Sequence, residues 1–154
     1  MVIAYLLGLT GISALAVAAW PAFVGMPLYF AGGGGKKGLG KTVAATSCGA
    51  AVSILMVLIG NAMSFLGEPW PIAIGVGLGS FLVVMYSKLD MLSYIPGGFG
   101  GCASAFGVGV GTDLNLLVAV IIALASGAIL GYTADVWAKK LVQEPAKTVK
   151  TTSN

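Results

Sequence analysis

Gly35-Lys36-Lys37-Gly38-Leu39-Gly40-Lys41-Thr42 has the spacing G-x-x-x-x-G-K-[ST]. In a phosphate-binding loop of that form, backbone N–H groups cradle the phosphates, and a strand precedes the glycines while a helix follows. An acidic residue on another strand helps to hold the metal. Here a short apolar segment comes before the glycines and a long apolar one after. The phrase therefore reads as a glycine loop carrying lysines, and no nucleotide partner is expected. Other reactive side chains are sparse. The chain has eight lysines, five acids, no arginine and no histidine. Cys48 and Cys102 lie inside apolar segments and read as small packing residues. Without histidine or converging carboxylates no nucleophile–base pair can be assembled. Neither an enzyme, nor a metal, nor a cofactor is expected.

Glycine, proline and phenylalanine offer more. Tyr94-Ile95-Pro96-Gly97-Gly98-Phe99-Gly100-Gly101 combines a residue lacking a backbone donor with residues that allow bends and close approach. Irregular backbone at membrane depth survives where protein buries it or where it lines a wet cavity. Pro96, Gly97 and Gly101 are therefore candidates for a pore wall. The alternative is helix packing, since Gly97-x-x-x-Gly101, Gly107-x-x-x-Gly111 and Gly127-x-x-x-Gly131 all have small-xxx-small spacing. Phe23 and Phe30, with Gly25 between them, and Phe99 and Phe106 form two pairs seven residues apart, each on one helical face. Facing an axis they would make an apolar constriction; facing lipid or core they would be ordinary packing. Thr46, Ser47 and Ser126 lie within long segments and are the polar lining candidates.

The elements that hold these residues are apolar throughout. The 154 residues are 58% apolar and 8% charged, with a mean hydropathy of +0.99. Soluble domains carry about a quarter charged residues. The net charge of +3 comes from lysines at the ends of apolar runs rather than from a basic face, so no nucleic-acid partner is expected. Six segments can be drawn: Val2–Trp20, Pro21–Ala31, Lys41–Leu66, Trp70–Ser87, Met91–Gly111 and Leu114–Ala138. Segment two is short, about 17 Å as a helix, and segment five is interrupted at Pro96-Gly97-Gly98. Both could cross or be re-entrant. Six crossings place Lys36, Lys37, Lys41, Lys88, Lys139 and Lys140 on one side, which the positive-inside rule makes cytoplasmic, with Glu68 and Asp113 opposite. Re-entrant segments would send Lys139 and Lys140 outside. Both termini are thus expected inside, with Trp20, Trp70 and Trp137 at membrane interfaces. Asp113 suits a helix cap, Asp135 can pair with Lys139, and Asn61, toward the outer end of segment three, could cap or bridge helices or stand near an outer mouth. The tail after residue 140 is polar and is expected to be loosely attached.

Phe23-x-Gly25-x-x-x-x-Phe30-Ala31 answers Phe99-x-Gly101-x-x-x-x-Phe106-Gly107, with Gly33 and Gly109 following. Three crossings per half would invert one half against the other. The expected fold is thus an all-α polytopic membrane protein with two inverted three-segment repeats, 1–66 and 70–140, whose segments two and five are short and broken. A polar tail, 141–154, follows. Inverted repeats with broken helices recur in membrane transport proteins.

The stretch Ile95-Pro96-Gly97-Gly98-Phe99-Gly100-Gly101-Cys102-Ala103-Ser104-Ala105-Phe106 resembles the small bacterial membrane proteins of domain-of-unknown-function family 1097, through a P-G-x-F-x-G-x-x-x-x-F phrase. The likeness extends in layout over about residues 1–140. It implies a bacterial inner-membrane location and carries over no ligand residues. The functional expectation is a passive channel for a small, mostly uncharged solute, in a homo-oligomer within the lipid bilayer. A secondary carrier and a non-catalytic subunit of a larger membrane complex are the rival readings.

Overall fold

A computed structural model describes the backbone of residues 13–151 and the side chains of residues 19–141. The fold is all-helical, with no strand among the described residues. Among the described residues five helices follow one another: α1 (Ser13–Ala31), α2 (Gly35–Ala62), α3 (Trp70–Tyr86), α4 (Ile95–Val108) and α5 (Leu114–Thr151). Single 3₁₀ turns, Ser64–Leu66 and Asp90–Leu92, sit in the connections before α3 and α4. Within α2 and α5, the stretches Gly35–Ala62 and Leu114–Leu141 are long and apolar enough to cross a membrane.

Several boundaries differ from those read in the sequence. Segments one and two do not meet at Trp20–Pro21. Helix α1 runs unbroken from Ser13 to Ala31 with Pro21 and Pro27 inside it. An interior proline removes one helical hydrogen bond, which membrane helices tolerate when neighbours pack closely. The greater part of segment one, residues 2–12, lies outside the described residues. Pro96-Gly97-Gly98 does not interrupt segment five but opens α4, with the proline in the first turn, where its missing donor costs nothing. Residues 141–151, expected to be loosely attached, continue α5 as helix. Gly107 and Gly111 form no packing pair, because Gly109 ends α4 in the left-handed region (φ 78°) and Gly111 follows at φ 53°.

Two local readings, at Asp113 and at Asp135, hold. The Asp113 carboxylate accepts from the N–H groups of Asn115 (2.9 Å) and Leu116 (3.3 Å), capping α5. Lys139 Nζ lies 2.7 Å from Asp135 Oδ2. Trp20, Trp70 and Trp137 are exposed.

Four helices form two crossed pairs. Helix α1 packs chiefly on α5, and α4 chiefly on α2. Helices α2 and α5 touch each other, and α3 lies along α2. Small residues make these contacts possible, since backbones approach only where no side chain intervenes. Trp20 of α1 lies against Gly107 of α4, and Leu28 against Gly100, so α1 and α4 run antiparallel. The largest apolar cluster, which includes Ala50, Ala105, Val120 and Leu124, joins α2, α4 and α5.

Candidate functional site

The two crossed pairs are built alike. At Gly25 a methyl group would overlap the Leu124 carbonyl oxygen and press on the Ala128 nitrogen; at Gly127 it would overlap the Ala22 carbonyl oxygen. In the other pair, a methyl at Gly101 would overlap the Thr46 carbonyl oxygen and press on the Ala50 nitrogen, and one at Gly49 would overlap the Gly98 carbonyl oxygen. Ala22 and Gly25 answer Gly98 and Gly101, 76 positions on, while Thr46, Gly49 and Ala50 answer Leu124, Gly127 and Ala128, 78 positions on. Burial follows the same offsets. Thr42, Ala45, Thr46, Gly49, Ala50 and Ser53 are buried on α2, as are Val120, Ala123, Leu124, Gly127, Ala128 and Gly131 on α5. Gly33 and Gly35 have positive φ, as do Gly109 and Gly111, each 76 positions on.

The pore candidates divide. Gly25, Gly97 and Gly101 are buried in helix crossings, Gly97 against Tyr94 and Ala45. Pro96 is exposed at the start of α4. Phe23, Phe30, Phe99 and Phe106 are exposed, with Phe23 at 76%. Phe23, Phe30 and Phe99 are turned away from the α1–α5 and α4–α2 crossings, whereas Phe106 shares a cleft with Val57 and Gly60 of α2. The antiparallel register of α1 and α4 sets Phe23 at about the level of Phe106, and Phe30 at about that of Phe99. The polar candidates do not converge. Thr46 is buried at the Gly101 crossing and donates to the Thr42 carbonyl (2.8 Å), Ser126 is exposed and donates to Ala123 (2.7 Å), and Ser47 is half-buried. Serine and threonine commonly bond their own helix in this way. Ser104 is fully buried yet has no such partner.

At the lysine-bearing end, sequence reasoning missed a polar cluster. Tyr29 is fully buried, and its hydroxyl donates to Asp135 Oδ2 at 2.9 Å while accepting the Gly35 N–H at 2.6 Å. Lys139 completes the chain on the same carboxylate oxygen. Close by, the Leu28 carbonyl accepts the Tyr94 hydroxyl (3.0 Å) and the Thr42 hydroxyl (3.4 Å). The loop-like phrase Gly35–Thr42 is thus the first two turns of α2, with its first N–H and its threonine already engaged. Tyr29 and Asp135 are 106 residues apart, and no local pattern announced their meeting.

The opposite end holds a cleft of about 570 Å³ between the end of α2 and the start of α3. Val57, Ile72, Val76 and Phe106 wall it, and exposed Asn61, Ser64 and Glu68 line it as polar groups. No cluster of potential metal ligands occurs among the described residues.

Composition, helix length and glycine packing together define an all-helical membrane protein. A family described as protein of unknown function (DUF1097) matches residues 1–139, and the chain belongs to that family. It is similar to the inner membrane protein YcdZ of Escherichia coli (strain K12), 35% identical over 136 residues that cover 87% of this chain and 78% of that one. It is also similar to the inner membrane protein YcdZ of Salmonella typhimurium (strain LT2), 33% identical over 147 residues, 92% and 87% of the two chains. No solved structure matches. Both relatives bear the name of inner membrane proteins, which supports a bacterial inner-membrane location for this chain.

Proposed function

We propose that this protein is a passive channel for a small, mostly uncharged solute of the urea, short-amide, ammonia or small-polyol class. In this reading it is built as two inverted three-segment repeats with six crossings and both termini in the cytoplasm. The observation that carries it is the pair of matched glycine crossings at constant offsets, on counterpart helices α1 and α4 that run antiparallel. Transport proteins repeatedly place their path at the interface of such repeats. The distribution of charge adds support. Asp90 and Asp113 lie in connections, and Asp135 and Lys139 lie in the last turns of the apolar stretch Leu114–Leu141. Ion-coupled carriers use ionisable groups deeper in the membrane. Because Phe23, Phe30 and Phe99 are turned outward, the constriction is assigned to the junction between copies in a homo-oligomer. There, apolar rings would admit small uncharged solutes more readily than hydrated ions.

The test is stopped-flow light scattering on proteoliposomes under gradients of urea, acetamide, glycerol and ammonia. The expected result is a permeability at least tenfold above empty vesicles for one of these solutes, linear in concentration and indifferent to sodium or proton gradients. No rise for any of them, from folded and inserted protein, would overturn the reading.

One observation favours a carrier as the second reading. The two ends differ: Tyr29, Asp135 and Lys139 are joined at one end, while of their counterparts by the same offsets Ala105 is buried in the core and Val57 and Asn61 line an open cleft at the other. An alternating-access carrier would show saturation and exchange in the same experiment.

A further inference from the structure

The cleft beyond α2 is lined mostly by apolar side chains, with Asn61, Ser64 and Glu68 as its polar groups and Phe106 as its aromatic ring. Glu68 is its charged group, and no lysine lines it. Among the described residues the ion pair is Lys139–Asp135, so Glu68 stands without a cationic partner. Asn61 offers an amide oxygen, and Phe106, 44% exposed, offers a ring to the same space. The end of α2 brings the negative pole of a helix. The start of α3 brings little of the opposite sign. Pro69 and Pro71 have no N–H, the Trp70 N–H donates to the Gly67 carbonyl, and the Ala73 N–H to the Pro69 carbonyl.

A carboxylate, acceptor oxygens and an exposed ring beside apolar walls favour one kind of occupant. A cation is attracted by the carboxylate and by the ring face, and an apolar body fills the space between Val57, Ile72 and Val76. The volume, about 570 Å³, is within the usual range for small-molecule sites. We propose that this cleft binds a small organic ammonium compound with an apolar body, its cationic head between Glu68 and Phe106. The positions equivalent to Val57 and Asn61 are Asp135 and Lys139, where the chain supplies its own ammonium to a carboxylate. The proposal does not rest on the channel reading, since binding is measured without flux.

The test is isothermal titration calorimetry on the full chain in micelles, with micelles alone as blank. Three probes share one ring: benzyltrimethylammonium, neutral phenylacetamide and anionic phenylacetate. The expected result is saturable binding of the cation, at least tenfold tighter than either other probe and weakened as salt rises. Glu68→Gln, a change in an exposed loop, should weaken it at least fivefold; Val57→Trp, which fills the cleft, should abolish it. Helical content and monodispersity of both variants establish that they are folded. Equal binding of cation and amide would overturn the proposal, because it marks a merely apolar groove of the kind a lipid chain fills. No cation binding by folded protein, or binding that Glu68→Gln leaves unchanged, would overturn it equally.

Discussion

Alanine at Gly49 and alanine at Gly127 are expected to damage the protein severely and to about the same degree. Each added methyl would overlap a carbonyl oxygen of the facing helix, that of Gly98 or of Ala22. Backbone cannot swing aside as a side-chain end can, so the helices must separate along the whole crossing. Overpacking a well-filled contact costs about 1–3 kcal/mol, and a clash against backbone belongs at or above the top of that range. Gly77 supplies the control: nothing lies within 4 Å of a methyl there, so Gly77→Ala should be neutral or slightly stabilising. Unfolding of the purified variants in a graded series of denaturing detergent measures all three. Equal losses at Gly49 and Gly127 are the signature of two equivalent crossings. A loss at one position alone would mean that the likeness of the two pairs is superficial.

The second large effect is expected at Tyr29. Phenylalanine keeps the buried ring but removes the one oxygen that joins α1, the start of α2 and α5. The Gly35 N–H then loses its acceptor, and a stranded polar group costs about 1–3 kcal/mol. Hydrogen exchange at residues 33–38 should rise at least tenfold in Tyr29→Phe. Asp135→Asn should have a smaller effect, because its amide oxygen still accepts from Tyr29 and the lost attraction to exposed Lys139 is screened by solvent. If Tyr29→Phe leaves exchange in this segment unchanged, the cluster does not order the α1–α2 turn.

The legibility of this fold follows physical range. Features set by neighbours a few residues apart were readable: the apolar helices, the Asp113 cap, and the Asp135–Lys139 pair. The Phe23–Gly25–Phe30 and Phe99–Gly101–Phe106 match was readable too, although its meaning shifted. The matched glycines are the contact surface, whereas the matched phenylalanines lie outside it. A second match was present and missed: Ala45-x-x-x-Gly49-Ala50 answers Ala123-x-x-x-Gly127-Ala128, with a different offset because the second connection is two residues longer. Proline misled twice. Pro21 suggested a boundary inside what is one helix, and Pro96 suggested a break where a helix starts. A proline restricts backbone locally, but whether the helix continues through it is decided by the partner packed alongside, which sequence order does not reveal. The Tyr29–Asp135 contact and the α2–α3 cleft arise only when distant helices meet.

The central claim is that the two halves are inverted. It is tested most directly by single cysteines placed at Lys36, Glu68, Lys88 and Asp113 in a background where Cys48 and Cys102 are alanine. A membrane-impermeant maleimide is applied to intact cells and then to opened ones. Inversion predicts labelling of Glu68→Cys and Asp113→Cys from outside, and of Lys36→Cys and Lys88→Cys only after opening. If positions 36 and 113 label from the same side, the connections that follow α1 and α4 share a face of the membrane, and the halves are not inverted.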